Sequence, residues 1–129
     1  MKRIVMLLTF VSVVCGSAAL AEAYTMPFGL PSLPDARLAI SDSYDTAGGD
    51  RVESIARFGT NKSREEVIAL YRKATEEAGF QSYSSSDKPE YYMFAAKRGD
   101  DRLTIYYRNT SDWVEAGEAE FSIKAVFNK

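Results

Sequence analysis

Residues 63–80, SREEVIALYRKATEEAGF, carry a start signal, one helical period and a stop signal. Ser63 followed three residues later by Glu66 is a capping box, in which first-turn side chains satisfy backbone amides that have no partner inside a helix. This predicts a helix from about Arg64 to Ala78. Val67, Leu70, Tyr71, Ala74 and Ala78 recur at spacings of three and four and form one apolar stripe, while Glu65, Arg72, Lys73, Glu76 and Glu77 take the remaining positions. Gly79 then supplies the left-handed residue that ends a helix, with Phe80 placed for the hydrophobic contact that follows. A helix with a single apolar stripe has to bury it against something, and the rest of the chain offers strands.

RVESIARFG alternates: Val52, Ser54, Ala56 and Phe58 lie on one side, with Glu53, Ile55 and Arg57 on the other. After the helix come FQSYS, YYMFAAKR, RLTIYYRN and EFSIKAVF, all extended in pattern; GDD joins the middle two as a hairpin signal. Leu103, Ile105 and Tyr107 alternate with Thr104, Tyr106 and Arg108, the mark of a half-buried antiparallel strand. The stretch AISDSYDTAGGD mixes Ser, Asp, Thr and Gly and reads as a loop with a short strand near Leu38 to Ile40. The expected fold is therefore a two-layer α+β domain in the order β-α-β-β-β-β: one main helix packed on a largely antiparallel sheet of about five strands.

The N-terminus has a different character. Lys2 and Arg3 precede an uncharged apolar run from Ile4 to Val14 and then small residues, the layout of a secretory signal peptide. Cleavage is expected after Ala21, with Ala23 the alternative, and the only cysteine, Cys15, leaves with the removed segment. The residues before Cys15 lack the Leu and small residue expected of a lipidation signal. Residues 22–37 form an extended arm in which Pro27, Pro31 and Pro34 fix the backbone, and residues 38–129 make a single domain. The arm is more apolar than a plain linker, through Met26, Phe28, Leu30 and Leu33.

Loss of Lys2 and Arg3 leaves 14 basic residues against 18 acidic ones, a net charge near −4. Nucleic acid and anionic membrane surfaces are poor partners for such a chain, because phosphate binding rests on clustered basic residues. No further apolar run reaches spanning length, so no stable membrane insertion is expected after processing. The sequence has no histidine and the mature chain no cysteine, which removes imidazole acid–base pairs, thiol nucleophiles and the usual zinc sites. G-x-S-x-G is absent. No catalytic residue, no metal and no cofactor are expected. Asp42, Asp45 and Asp50 lack calcium-loop spacing and read as a solvated turn, and Arg98 to Asp100 reads as a hairpin turn despite its RGD sequence. The two N-x-S/T sites, at Asn61 and Asn109, are expected to stay unmodified.

Phe58, Thr60, Ser63, Glu65, Glu66, Val67, Tyr71 and Ala78 to Phe80 together resemble small exported bacterial modules: a strand ending near F-x-T, then S-x-E-E-V-x-x-x-Y, an A-G-F helix ending and a strand meander. The resemblance covers about Pro34 to the C-terminus and implies the fold and a bacterial source. Such modules mostly lack an assigned activity.

Tyr83, Tyr91, Tyr92, Tyr106, Tyr107 and Trp113 cluster in the meander and its loop. Neighbouring strand residues point to opposite faces, so Tyr91 with Tyr92, and Tyr106 with Tyr107, each place one ring on the face away from the helix. The expected function is a non-catalytic module, periplasmic or secreted, that binds a protein or peptide of the cell envelope through this aromatic face, with Tyr92, Tyr106 and Trp113 as the binding residues. The alternatives are a small-molecule or glycan binder using the same rings and, behind it, a carboxylate-dependent hydrolase. Export is open to a direct check: intact-mass measurement of the periplasmic protein should give an N-terminus at Glu22 or Tyr24, and a full-length or acylated mass would overturn the signal-peptide reading.

Overall fold

The computed structural model describes residues 24–129; the expected signal peptide over residues 1–21 and both candidate cleavage points lie outside the described residues. The elements are β1 (Arg37–Asp45), β2 (Arg51–Thr60), α1 (Arg64–Glu77), β3 (Gln81–Asp87), β4 (Tyr91–Arg98), β5 (Asp101–Arg108) and β6 (Ala119–Asn128). The strands form one antiparallel sheet in the order β1-β2-β6-β5-β4-β3. The fold is α+β, a helix laid on an antiparallel sheet.

The sheet has six strands rather than about five, because the first part of the stretch expected to be mostly loop, up to Asp45, pairs with β2 as β1. Its Ser and Asp residues favour turns when local chemistry decides. Here the backbone ladder with β2 decides, the strand is an exposed edge, and a bulge between Leu38 and Ile40 changes its register. The actual turn is confined to residues 46–50, where the Gly49 amide donates to the Thr46 carbonyl at 2.8 Å.

The helix ends are built as their residues demand. Ser63 Oγ accepts from the Glu66 amide at 3.2 Å, and the Ser63 amide donates to Glu66 Oε1 at 3.2 Å. At the other end Gly79 has φ 89°, its amide donates to Glu76, and the Phe80 amide reaches back to Thr75. These two bonds are a Schellman motif, which satisfies carbonyls the helix leaves free. Val67, Tyr71 and Thr75 form the buried line, one residue every four, with Ile68, Leu70, Ala74 and Ala78 partly buried beside it.

Four rings cross the core in series. Tyr71 stacks on Phe121 at 4.7 Å, Phe121 on Phe58 at 5.4 Å, and Tyr24 meets Phe58 edge-on at 5.8 Å. The arm closes the β2 side of this core with buried Met26, Leu30 and Leu33, and Tyr71 donates its hydroxyl hydrogen to the Pro31 carbonyl at 2.8 Å. Burial raises the Tyr71 pKa, which keeps this donor protonated at any physiological pH. Phe28 holds φ 58°, unfavourable for a bulky side chain, and its ring lies 4.9 Å from Phe80 and 5.9 Å from Phe127.

The burial line ranks substitutions. Tyr71→Ala should lower stability by about 3–5 kcal/mol, as for other large buried rings, and half-buried Leu70→Ala by less. Ser63→Ala should lower it by about 1 kcal/mol through loss of the cap. Urea midpoints check the ranking; a Tyr71→Ala midpoint equal to that of exposed Lys73→Ala would contradict it.

Candidate functional site

The face of the sheet away from α1 is fixed by strand register. Tyr91, Arg108, Glu120 and Gly59 form one cross-strand row, and Met93, Tyr106, Ser122, Arg57 and Ile40 form the next. The third row is Ala95, Thr104, Lys124, Ile55 and Asp42; the fourth is Lys97, Arg102, Val126, Glu53 and Tyr44. On the opposite face Tyr92, Phe94, Ala96, Leu103, Ile105, Tyr107, Phe121 and Ile123 pack towards the helix.

This register separates the three expected binding residues. Tyr106 lies on the open face. Trp113 sits in the loop between β5 and β6, 45% exposed, with the Arg57 guanidinium 5.6 Å from its ring centre. Tyr92 is on the helix side: its hydroxyl accepts from Arg72 Nε at 3.1 Å and its ring meets Phe94 edge-on. The expectation that Tyr92 shares a surface with Tyr106 is therefore corrected, and Tyr91 takes that place. The parity was readable, since Tyr92 is in phase with apolar Phe94 and Ala96 and Tyr91 with charged Lys97.

At the centre of the first two rows lies Glu120, a residue that alternation alone did not single out. Only 1% of it is exposed although it belongs to the open face. Glu120 Oε2 accepts from Arg57 Nη1 at 3.1 Å and from the Ser122 hydroxyl, and Arg108 Nε stands 3.9 Å away. Burial alone would raise the Glu120 pKa, but the Ser111 and Ser122 hydroxyls and Arg57 outweigh it and hold the carboxyl below its ordinary value. Glu120 Oε1 and Arg108 Nε are buried without a well-formed hydrogen bond; Ser111 acts on the carboxylate from outside good bonding geometry. Arg108 is flanked by Tyr106 at 5.2 Å and Tyr91 at 5.8 Å.

The loop is tied down on the same side. The Trp113 amide donates to Ser111 Oγ at 3.1 Å, and the Glu115 amide donates to Glu118 Oε1 at 2.9 Å. Arg37 Nη2 binds the same Glu118 oxygen at 2.6 Å, spanning β2 where Gly59 leaves room. A Cβ on Gly59 would run into the Glu118 carboxylate and reach the Arg37 guanidinium, so a side chain there would have to push this ion pair aside.

The cluster offers charged, aromatic and hydroxyl groups side by side. Two guanidinium groups, three rings and the Ser122 hydroxyl surround one buried carboxylate. Glu120→Gln measures its electrostatics. Because the folded carboxyl titrates below its ordinary value of 4.5, its contribution is present above that pH and is lost as pH falls through the folded value. The substitution should cost about 1.5–3 kcal/mol at pH 7, as for bonds to charged groups, and progressively less below pH ~4.5. Denaturation midpoints across pH check this; a deficit independent of pH would contradict it.

A family model described as START domain-like matches residues 40–112, from within β1 through β5 to the start of the loop, more than half of the chain. It includes Arg57, Tyr91, Tyr106 and Arg108 and stops before Trp113, Glu120 and Ser122. No curated protein matches the chain. With its helix on an antiparallel sheet and a match of this length, the chain belongs to the START domain-like family.

Proposed function

We propose that the chain is a non-catalytic binding module, acting after export, that takes a protein or peptide on the open sheet face around Trp113, Tyr106 and Arg108. One observation carries this reading. The large apolar residues exposed among the described residues are Ile40, Tyr44, Tyr83 and Trp113, and all four belong to that side. Ile40 and Tyr44 stand in its rows, Tyr83 brings its ring within 5.7 Å of Lys97, and Trp113 covers Arg57. Scattered apolar residues need no explanation, but their confinement to one face supports the reading of that face as an interaction surface. Tyr, Trp and Arg are also the types that dominate binding energy at interfaces. Membership of the START domain-like family fits a binding role.

A second reading, a small-molecule binder, draws on a groove between α1 and β3. Its volume is about 520 Å³, Phe80 and Phe94 line it beside Arg72, and the buried Thr75 hydroxyl in its wall has no partner. The helix-facing positions of β3 are Ser82 and Ser85, too small to fill the gap.

Photo-crosslinkers placed at Ile40 and Tyr83 on the sheet face and at Lys73, which lines the groove beside α1, separate these readings in the producing cell. A discrete protein adduct from Ile40 and Tyr83 and none from Lys73 is expected. Adducts from Lys73 alone, or none from the sheet face, would overturn the proposal. Trp113→Ala should abolish the adducts while changing stability by less than about 1 kcal/mol, since a half-exposed ring over one guanidinium contributes little to folding.

A further inference from the structure

The chain as a whole is acidic, with net charge −2, yet its open sheet face is basic. Arg51, Arg57, Lys97, Arg102, Arg108 and Lys124 stand there against Asp42, Glu53 and Glu120. Two of these acids are already engaged: Glu53 with Lys124 at 3.4 Å and Glu120 with Arg57. The uncompensated charge lies along β4 and β5. Lys97 and Arg102 are directly opposite each other in that ladder, a placement that repels across the strands. Arg102 donates to the carbonyls of Gly99 and Asp101, Lys97 lies over the Tyr83 ring, and among the described residues neither has a carboxylate within salt-bridge distance. Six residues further along β5, Arg108 has only the 3.9 Å approach to a carboxylate that Arg57 and Ser122 already occupy.

We propose that the partner on this face is an acidic peptide segment, with one acidic group held by Lys97 and Arg102 and a second by Arg108. This deepens the protein-or-peptide reading above and rests on it. Six strand residues separate the two sites by ~20 Å. Between them the ribbon presents Met93, Ala95, Thr104 and Tyr106, without charge. The complementary ligand therefore has two acidic ends and an apolar middle. A nucleic acid strand, charged at every ~3.4 Å, would lay several phosphates over that neutral stretch. A peptide can place its acids at the ends alone. An anion at the Lys97–Arg102 pair would also relieve the cross-strand repulsion that the free protein retains.

The test is selection from a displayed library of random dodecapeptides on the full-length protein, followed by affinity measurement on the selected sequences. Selected peptides should be enriched in Asp or Glu at two separated positions with aromatic or aliphatic residues between. Lys97→Glu or Arg102→Glu should weaken them roughly tenfold to a hundredfold, the loss expected for bonds to charged groups. Lys97→Glu should at the same time leave the melting temperature unchanged or raise it, because it turns a repelling pair into an attracting one, so weaker binding cannot be ascribed to misfolding. Neutral or basic peptides whose binding survives both charge reversals but is lost in Trp113→Ala would overturn the acidic partner and leave the peptide-binding face standing. Selected peptides indifferent to all three substitutions would overturn both. Tighter retention of a single-stranded oligonucleotide than of any selected peptide would also overturn the proposal.

Discussion

Everything above the sheet is organised by the contact of Tyr71 with Phe121. The ring stacks at 4.7 Å on Phe121 near the start of β6, and its hydroxyl donates across the core to Pro31 in the arm. Helix, sheet and arm thus meet at one side chain. A hydroxyl at this depth needs a partner, because an unmet polar group in an apolar interior is expensive. A backbone carbonyl brought in by a proline-rich segment meets that need, since proline holds its own backbone extended and offers an acceptor without a competing donor. The arm is accordingly part of the core. Met26 and Leu33 stand with Phe58 and Leu38 around one small cavity, and Leu30 stands beside Leu70 and Ala74 of α1.

Covering one face this way leaves the other to side chains that face solvent, and their arrangement follows from strand parity. Arg57, Arg108 and Glu120 meet because β6 lies between β2 and β5, although Arg57 and Glu120 are far apart in sequence. The loop from β5 to β6 then folds back over them, with Trp113 against Arg57 and Glu118 bonded to Arg37. One carboxylate is thereby buried on a surface that otherwise stays open. Its negative charge is balanced locally, and the remaining basic groups of β4 and β5 are left to act outward.

Much of this was legible in the residues. The capping box, the Gly79 stop and the alternation of β2, β5 and β6 are local signals, and each appears where its chemistry requires. β1 was hidden because an edge strand is held by backbone bonds to its neighbour, so its side chains kept the turn-like composition of an exposed segment. The site was legible in part. Tyr106 and Trp113 lie on the same side, whereas the phase of Tyr92 with Phe94 and Ala96 puts it on the helix side. Glu120 could not be found from period alone: its burial depends on a loop that returns from elsewhere, and nothing within β6 announces it. The same holds for Thr75, a polar residue on the buried line of α1.

The middle of the sheet joins β2 to β6, with Arg51 opposite Asn128 and Thr60 opposite Ala119, although α1 and three other strands separate them in sequence. Hairpins such as β4–β5 can form from neighbouring residues, but the central ladder and the Phe121 stack require the last strand. A domain closed by so distant a pairing folds more slowly than one built from local contacts, because a long loop must be ordered before its contacts form. A chain emerging from its N-terminus, from a ribosome or through a membrane pore, presents β1, β2 and α1 with their apolar sides bare until β6 follows. During that interval it depends on whatever keeps it apart from its neighbours, and the last strand to emerge sets the moment at which that dependence ends.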